Sequence, residues 1–241
     1  MTSWLTPDWP APANVRACVT TRAGGVSVEP FDSFNLGDHV GDVPAAVAEN
    51  RRRLTAELGC QPAWLSQVHG IEVVEADPSV VATADASWSY TPDVACTIMT
   101  ADCLPALFCD RAGTRVAAAH AGWRGLVGGV LEVTVDAMGV EPSQLLVWLG
   151  PSIGPQAFEV GPEVREAFLA EHTEAERAFL PSANAGKFMA DIYELARIRL
   201  AAKGVTAVYG GDFCTFTDTE RFYSYRRSSR TGRLASLIWL A

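Results

Sequence analysis

Two apolar runs separated by one short turn constrain this chain more than any other feature. LPALFCD (104–110) and RVAAAH (115–120) flank RAGT (111–114). Runs of this length on either side of a Gly-containing turn read as a β-hairpin. With the turn centred between Arg111 and Ala112, Cys109 faces Thr114 and Cys103 faces His120. Directly opposed residues of an antiparallel ladder have Cβ atoms about 4.5–5.5 Å apart, near enough for a thiol and an imidazole to share a metal ion or a proton. A slip of one residue would send the two to opposite faces, so the turn sets the chemistry.

The rest of the chain mixes strands and helices without strict alternation. VRACVTT (15–21), AWLSQVH (63–69), EVVEA (72–76), DVACTIM (93–99), LLVWLG (145–150), VTAVYG (205–210), FYSYRR (222–227) and ASLIWL (235–240) read as strands. The segments 63–69 and 72–76 lie on either side of a turn at Gly70. Asp42 and Pro44 open a helix that runs to about Leu58 and stops at Gly59. Further helices are expected over 125–138, 163–172 and 188–203, the last ended by Gly204. Residues 1–14 are proline-rich and predict an irregular lead-in. Residues 23–42 form a long loop, and a loop of that length is more often functional than idle. Hairpins interspersed with helices imply an α+β fold of mixed layers, and the 241 residues fit a single domain over 1–241.

Charge and cysteine usage narrow the function classes. The net charge is −9 and no Lys/Arg run is long enough for a nucleic-acid tract, so nucleic acid is not an expected partner. The one basic cluster, Arg226, Arg227, Arg230 and Arg233, suits a small anion or a solvated loop. No apolar run reaches the roughly 18–20 residues of a membrane span, and the first ten residues have no leader pattern. A cytoplasmic location is expected, with no disulfide framework and four of the six cysteines reduced in apolar company. Oligomeric state is not readable.

His69, in SQVHG, can complete a three-donor set with Cys103 and His120. A mixed His/Cys/His set suits zinc with its fourth position open, the arrangement catalytic zinc keeps. Each residue also has a plainer reading, as a hydrogen-bonded strand-end histidine or a core cysteine. Asp102 is a candidate to orient a ligand or to act as acid/base, or else a turn residue. Gly122, Gly125, Gly128 and Gly129 surround a helix start beside Arg124. They either expose N–H groups to an anion or let a helix pack closely.

These residues carry a resemblance that spans nearly the whole chain. TTRAGGVS, PFDSFNLGDHVGD, SQVHG, TADCLP, AAAHAGWRG, GPSIGPQAFEVG, DFCTFTD and RFYSYRRSSRTGRLASLIWL stand in order. Together they resemble the YfiH/YlmD family of bacterial proteins. Its members go under the names multicopper polyphenol oxidase (laccase-like), purine nucleoside phosphorylase/adenosine deaminase and peptidoglycan editing factor. The resemblance implies a layered α/β sandwich distantly shared with Cys/His hydrolases, and zinc held by His69, Cys103 and His120. It also implies phosphorolysis of inosine, guanosine, adenosine and methylthioadenosine, with deamination of adenosine.

Under that reading Cys103, His120 and Asp102 are the catalytic candidates. Arg22, Arg124 and the late arginine cluster are candidates for phosphate, and Asn35, His39 and Gln67 for nucleoside. Three alternatives remain. An amidase could remove serine from a nucleotide-linked muramic acid, with Cys103 as nucleophile and His120 as base. A copper polyphenol oxidase would have to work with four histidines, although copper binding in vitro is compatible with the donor set. A non-enzymatic metal module would need a fourth protein ligand such as Cys109 or Asp102.

Overall fold

The computed structural model describes residues 4–241. In chain order the elements are β1 (Val15–Val19), α1 (Pro44–Leu58), β2 (Gln61–Ala63), β3 (Leu65–Ser66), β4 (Val73–Glu75), β5 (Ala82–Thr83) and β6 (Ala86–Ser89). Then follow β7 (Val94–Thr100), β8 (Leu104–Asp110), β9 (Val116–Ala121), α2 (Trp123–Gly128), α3 (Val130–Met138) and β10 (Leu145–Leu149). The remainder is β11 (Glu159–Val160), α4 (Pro162–Glu171), β12 (Phe179–Pro181), β13 (Phe188–Ala190), α5 (Ile192–Ala202), β14 (Ala207–Gly210) and β15 (Leu234–Leu240).

Two mixed sheets stack at the centre, one in the order β1-β15-β7-β2 and the other β14-β10-β8-β9-β6-β4. Side chains alternate across β8. Leu104, Ala106 and Phe108 pack toward α3 and α5, whereas Leu107 and Cys109 pack against Ile98 and Ile238 of the other sheet. A strand covered on both faces has few polar positions to spare, which is why 104–109 and 116–119 read as unbroken apolar runs. The outer face of the four-stranded sheet is closed by Leu54 of α1 with Phe34 and Leu36. The result is a helix–sheet–sheet–helix sandwich of the α+β class, as the sequence predicts.

The hairpin forms, with a register two residues from the expected one. Cys109 faces Val116, and it is Pro105, not Cys103, that faces His120. The turn is longer because the Asp110 carboxylate caps it, accepting from the Thr114 and Arg115 amides at 2.7 and 2.9 Å and from the Thr114 hydroxyl at 2.6 Å. A shift of two preserves the face, so Cys103, at the entry to β8, stays on the side of His120.

Helix α1 has Pro44 in its first turn and closes at Gly59, whose φ of 69° places it in the left-handed region. Other expected elements change. The 125–138 helix is interrupted by Gly129, with φ 101°. The 188–203 helix begins only at Ile192, because the Asp191 carboxylate caps it by accepting from Tyr193 and Glu194 amides. Residues 188–190 instead pair with β11 and β12. The 63–69 strand ends at Ser66, and its partner is β5, not the following segment. FYSYRR is not a strand, since Arg227 turns back to donate to the carbonyls of Thr215, Phe216 and Phe222. All six cysteines are free. Among the described residues no helix is long and apolar enough to cross a membrane.

Candidate metal centre

His69 sits where its strand has ended, in a turn with φ 61°. A non-glycine residue in the left-handed region costs about 1–3 kcal/mol and persists only when the surroundings hold it. Here one carboxylate does so. Asp85, between β5 and β6 and fully buried, accepts the consecutive amides of Val68, His69 and Gly70 at 3.1, 2.9 and 2.7 Å. The preceding Gln67 is anchored too, pairing both ends of its amide with the main chain of Met99 at 2.9 and 2.8 Å.

His120, near the end of β9, is 3 % exposed and donates from Nδ1 to Oδ1 of Asp85 at 2.8 Å. A carboxylate can only accept, so Nδ1 carries a proton, and Nε2 faces the other donors.

Cys103 follows Asp102, whose φ of 91° makes the sharp bend into β8. The bend is held by Asp102 itself. Its carboxylate accepts from the Thr215 hydroxyl (2.6 Å), the Ser224 hydroxyl (3.0 Å) and the Arg226 amide (2.6 Å). Its carbonyl accepts from the Ser152 hydroxyl and the Ile153 amide at 2.6 and 3.0 Å. A carboxylate already taken by three donors is suited to holding loops together, not to carrying a proton.

The three donors converge. The ligand atoms of His69, Cys103 and His120 lie within 4.8 Å of one another. Cys103 Sγ is 3.7 Å from His69 Nε2, and the two imidazoles stand edge to face with centroids 4.7 Å apart. With zinc–sulfur and zinc–nitrogen bonds of about 2.3 and 2.0–2.1 Å, a tetrahedral ion separates these atoms by about 3.6 Å. The donor set and spacing therefore fit a divalent ion. Neither fourth-ligand candidate joins them. Cys109 is buried in the core between the sheets, and the Asp102 carboxylate is turned to Thr215, Ser224 and Arg226.

Burial opposes charge on both Cys103 and His120, yet their mutual attraction prevails. The thiol of Cys103 is brought down to about 6 by the neighbouring His120 and His69. His120 is brought up to about 9 by Cys103 and by its bond to Asp85. Asp85 is itself held below the usual carboxylate range; burial pushes it up, and the His120 bond and the turn amides outweigh that.

The group opens on one side into a cavity of about 490 Å³, within the roughly 300–1,000 Å³ usual for small-molecule sites. His39, Gln67 and Arg124 line it, together with Trp123, Phe158, Tyr225, Arg226 and Arg233. The structure does not bring Arg22 or Asn35 into that lining. Arg22 pairs with Asp32 at 3.0 Å and lies over the Tyr223 ring. Asn35 is fully buried, and its Oδ1 accepts from the Gly37 amide and, at 2.8 Å, from the Arg233 amide. It thus seats Arg233 from within the long 23–42 loop.

The late arginine cluster divides. Arg226 and Arg233 face the cavity, Arg227 is spent on carbonyls, and Arg230 lies over the Phe31 ring. The glycines of AHAGWRG serve close packing. A Cβ on Gly125 would stand 2.8 Å from the Gly70 carbonyl oxygen. Asp85 and the cavity aromatics Trp123, Phe158 and Tyr225 were not singled out by sequence. A lone acid within ATADASW was the one available sign of Asp85.

Comparison with known proteins agrees with this architecture. A family model described as multi-copper polyphenol oxidoreductase laccase matches residues 16–241. The chain is 76% identical over 240 residues to purine nucleoside phosphorylase PA4543 of Pseudomonas aeruginosa, covering 100% of this chain and 99% of that one. It is 56% identical to purine nucleoside phosphorylase YfiH of Escherichia coli K12, with 100% of both chains covered. The crystal structure of Neisseria meningitidis protein NMB0706 superposes with a TM-score of 0.96 at 54% identity, over 98% of each chain. That of YlmD from Geobacillus stearothermophilus gives 0.89 at 30% identity, over 98% of this chain and 96% of that one. Sequence, fold and full-length coverage together make this chain a member of the multi-copper polyphenol oxidoreductase laccase family, the family of YfiH.

Proposed function

We propose that this protein is a zinc-dependent purine nucleoside phosphorylase that also deaminates adenosine. One observation carries the reading: a three-donor group, open on one side, shares its cavity with three arginines that pair with no carboxylate among the described residues. Some arginines elsewhere do find such partners, as Arg22 with Asp32, Arg51 with Asp38 and Arg199 with Glu132, while Arg115, Arg197 and Arg227 donate to main-chain carbonyls instead. Arg226 and Arg233 each spend one Nη1 on main-chain carbonyls, and the charge of all three, with the remaining donors, faces a cavity that can take an anion from outside, in a chain whose net charge is −9. The names of the full-length relatives support the same reading.

In phosphorolysis a phosphate oxygen bonds to the anomeric carbon as the glycosidic C–N bond breaks, and the departing purine takes up a proton. The protein's task is to hold phosphate against the ribose and to stabilise the charge that moves. Arg226 and Arg233 are assigned to the phosphate, with Arg124 at the rim. Trp123, Phe158 and Tyr225 offer ring surfaces to the purine. His39 is assigned to the nucleoside, and Gln67, its amide engaged with Met99, shapes the wall. Asn35 acts from behind by seating Arg233, and Arg22, paired with Asp32, stands outside the cavity. His69, Cys103 and His120 would hold the zinc ion, which when bound supplies Lewis-acid chemistry. Asp102 holds the bend that presents Cys103. The substrates are inosine, guanosine, adenosine and methylthioadenosine, and the reading places the enzyme in the cytoplasm with no nucleic-acid partner. Zinc-loaded protein given inosine and phosphate should yield hypoxanthine and ribose 1-phosphate; given adenosine it should yield inosine. No turnover of either contradicts the proposal.

One observation favours a second reading. A thiol brought down to about 6 beside a buried imidazole is also the pair a cysteine amidase uses, with Cys103 attacking an amide such as a serine linked to a nucleotide-borne muramic acid. Zinc ligation and nucleophilic attack compete for the same sulfur, so stoichiometric zinc in freshly purified protein favours the first reading. Copper oxidation is a weaker fit. The chain has four histidines, two of them in the donor group, and a laccase-type cluster needs more imidazoles.

A further inference from the structure

We infer that Asp85 is the positioning residue of the metal centre, fixing both histidine ligands through one carboxylate. The inference rests on the metal-centre reading and extends it to a residue outside the donor set. The four acceptor contacts of Asp85 are divided evenly. Oδ2 accepts from the amides of Val68 and Gly70, and Oδ1 accepts from the amide of His69 and from Nδ1 of His120. The main chain adds a further tie, because the Asp85 carbonyl accepts from the His120 amide at 2.7 Å. One buried residue therefore holds His69 in its left-handed turn and fixes the His120 tautomer, although the two histidines belong to different segments.

Contrast with Asp110 shows what is particular about this arrangement. Asp110 also accepts from consecutive amides, but its partners are the Thr114 and Arg115 backbone and the Thr114 hydroxyl, all within its own turn. Asp85 instead caps a turn of another segment, Val68 to Gly70, and adds a ligand imidazole from a third. Carboxylates that hold a ligating histidine in this manner raise its basicity and set its orientation.

All four donors need an acceptor, and that makes an isosteric test decisive. In Asp85→Asn one oxygen becomes an NH₂ group, a donor. Whichever way the amide turns, a donor meets donors. Placed at Oδ1 it opposes the His69 amide and favours the His120 tautomer protonated on Nε2, whose Nε2 has no lone pair for the metal. Placed at Oδ2 it opposes the Val68 and Gly70 amides and releases the turn that carries His69.

The experiment compares zinc affinity of wild-type protein and Asp85→Asn by chelator competition, with the cobalt-thiolate absorption of cobalt-loaded samples as a second readout. The expected result is an affinity loss of about 10–100-fold, with an altered cobalt spectrum. Cadmium NMR of ¹⁵N-labelled wild-type protein supplies a measurement that does not depend on the variant folding. Coupling of the metal to Nε2 of His120, with Nδ1 still protonated, is expected; coupling to Nδ1 overturns the inference. Zinc bound as tightly by Asp85→Asn as by the wild type overturns it while leaving the metal-centre reading intact. Wild-type protein that binds no zinc overturns both.

Discussion

A Cβ on Gly122 would stand 2.8 Å from Cδ2 of His69 and 3.1 Å from Sγ of Cys103. Gly122 is thus the floor on which two of the three candidate metal donors rest. Gly122→Ala should cut zinc affinity on the order of tenfold, as disturbance of a ligand's support does. Overpacking should cost about 1–3 kcal/mol of stability. Metal titration and thermal unfolding check the two effects. Unchanged zinc affinity would show that the site can give way.

Arg233 should matter for phosphate and little for nucleoside. Burial holds its pKa below the usual range, and its Nη1 already donates to the carbonyls of Thr231 and Gly232. Losing a charged hydrogen-bond partner costs about 1.5–3 kcal/mol. Arg233→Met should therefore raise the phosphate KM by about ten- to a hundredfold. Arg233→Lys should restore only part of it, because an ammonium lacks the planar fork. A phosphate KM equal to wild type, from initial rates at saturating inosine, contradicts the assignment.

Metal uptake should release protons. In the metal-free protein at pH 7.5, Cys103, lowered to about 6, is a thiolate, and His120, raised to about 9, is protonated. Binding requires the thiolate and a neutral imidazole. At least one proton should leave per ion between these two values, from His120, so apparent affinity should rise with pH across that window. Below about pH 6 the protonated thiol adds a second cost, and above about pH 9 the His120 contribution vanishes. Calorimetry in buffers of differing ionisation enthalpy measures the release; none at pH 7.5 contradicts the pairing.

Asp102 should behave as a structural clamp. Asp102→Ala leaves the Thr215 and Ser224 hydroxyls and the Arg226 amide without their acceptor. Stranding buried donors should cost about 3 kcal/mol in urea unfolding. A change under about 1 kcal/mol contradicts the clamp.

The sequence made the His69, Cys103 and His120 grouping readable and left its support hidden, for a physical reason. Cys103 and His120 could be placed together because a hairpin is local, and an error of two residues in its turn keeps the face. What lengthened the turn was the Asp110 side chain, whose capping bonds the apolar pattern does not encode. Pro44 and Gly59 marked α1 because helix ends depend on neighbouring residues. FYSYRR has strand composition, but the side chain of Arg227 and the pull of Asp102 on Ser224 and Arg226 bend it into turns. Asp85 lies 35 residues from His120, and nothing near it in sequence announces that partner. The cavity aromatics are equally non-local, drawn from segments that meet only once the layers are stacked.

The central claim is that His69, Cys103 and His120 grip a catalytic divalent ion at the cavity. Its most direct test measures bound zinc per chain and inosine phosphorolysis together, in wild-type protein, chelator-stripped protein and Cys103→Ala. One zinc per chain is expected in the wild type, with both zinc and turnover lost on stripping, restored by zinc addition and absent from Cys103→Ala. Full turnover by stripped protein, or zinc retained in full by Cys103→Ala, would contradict it.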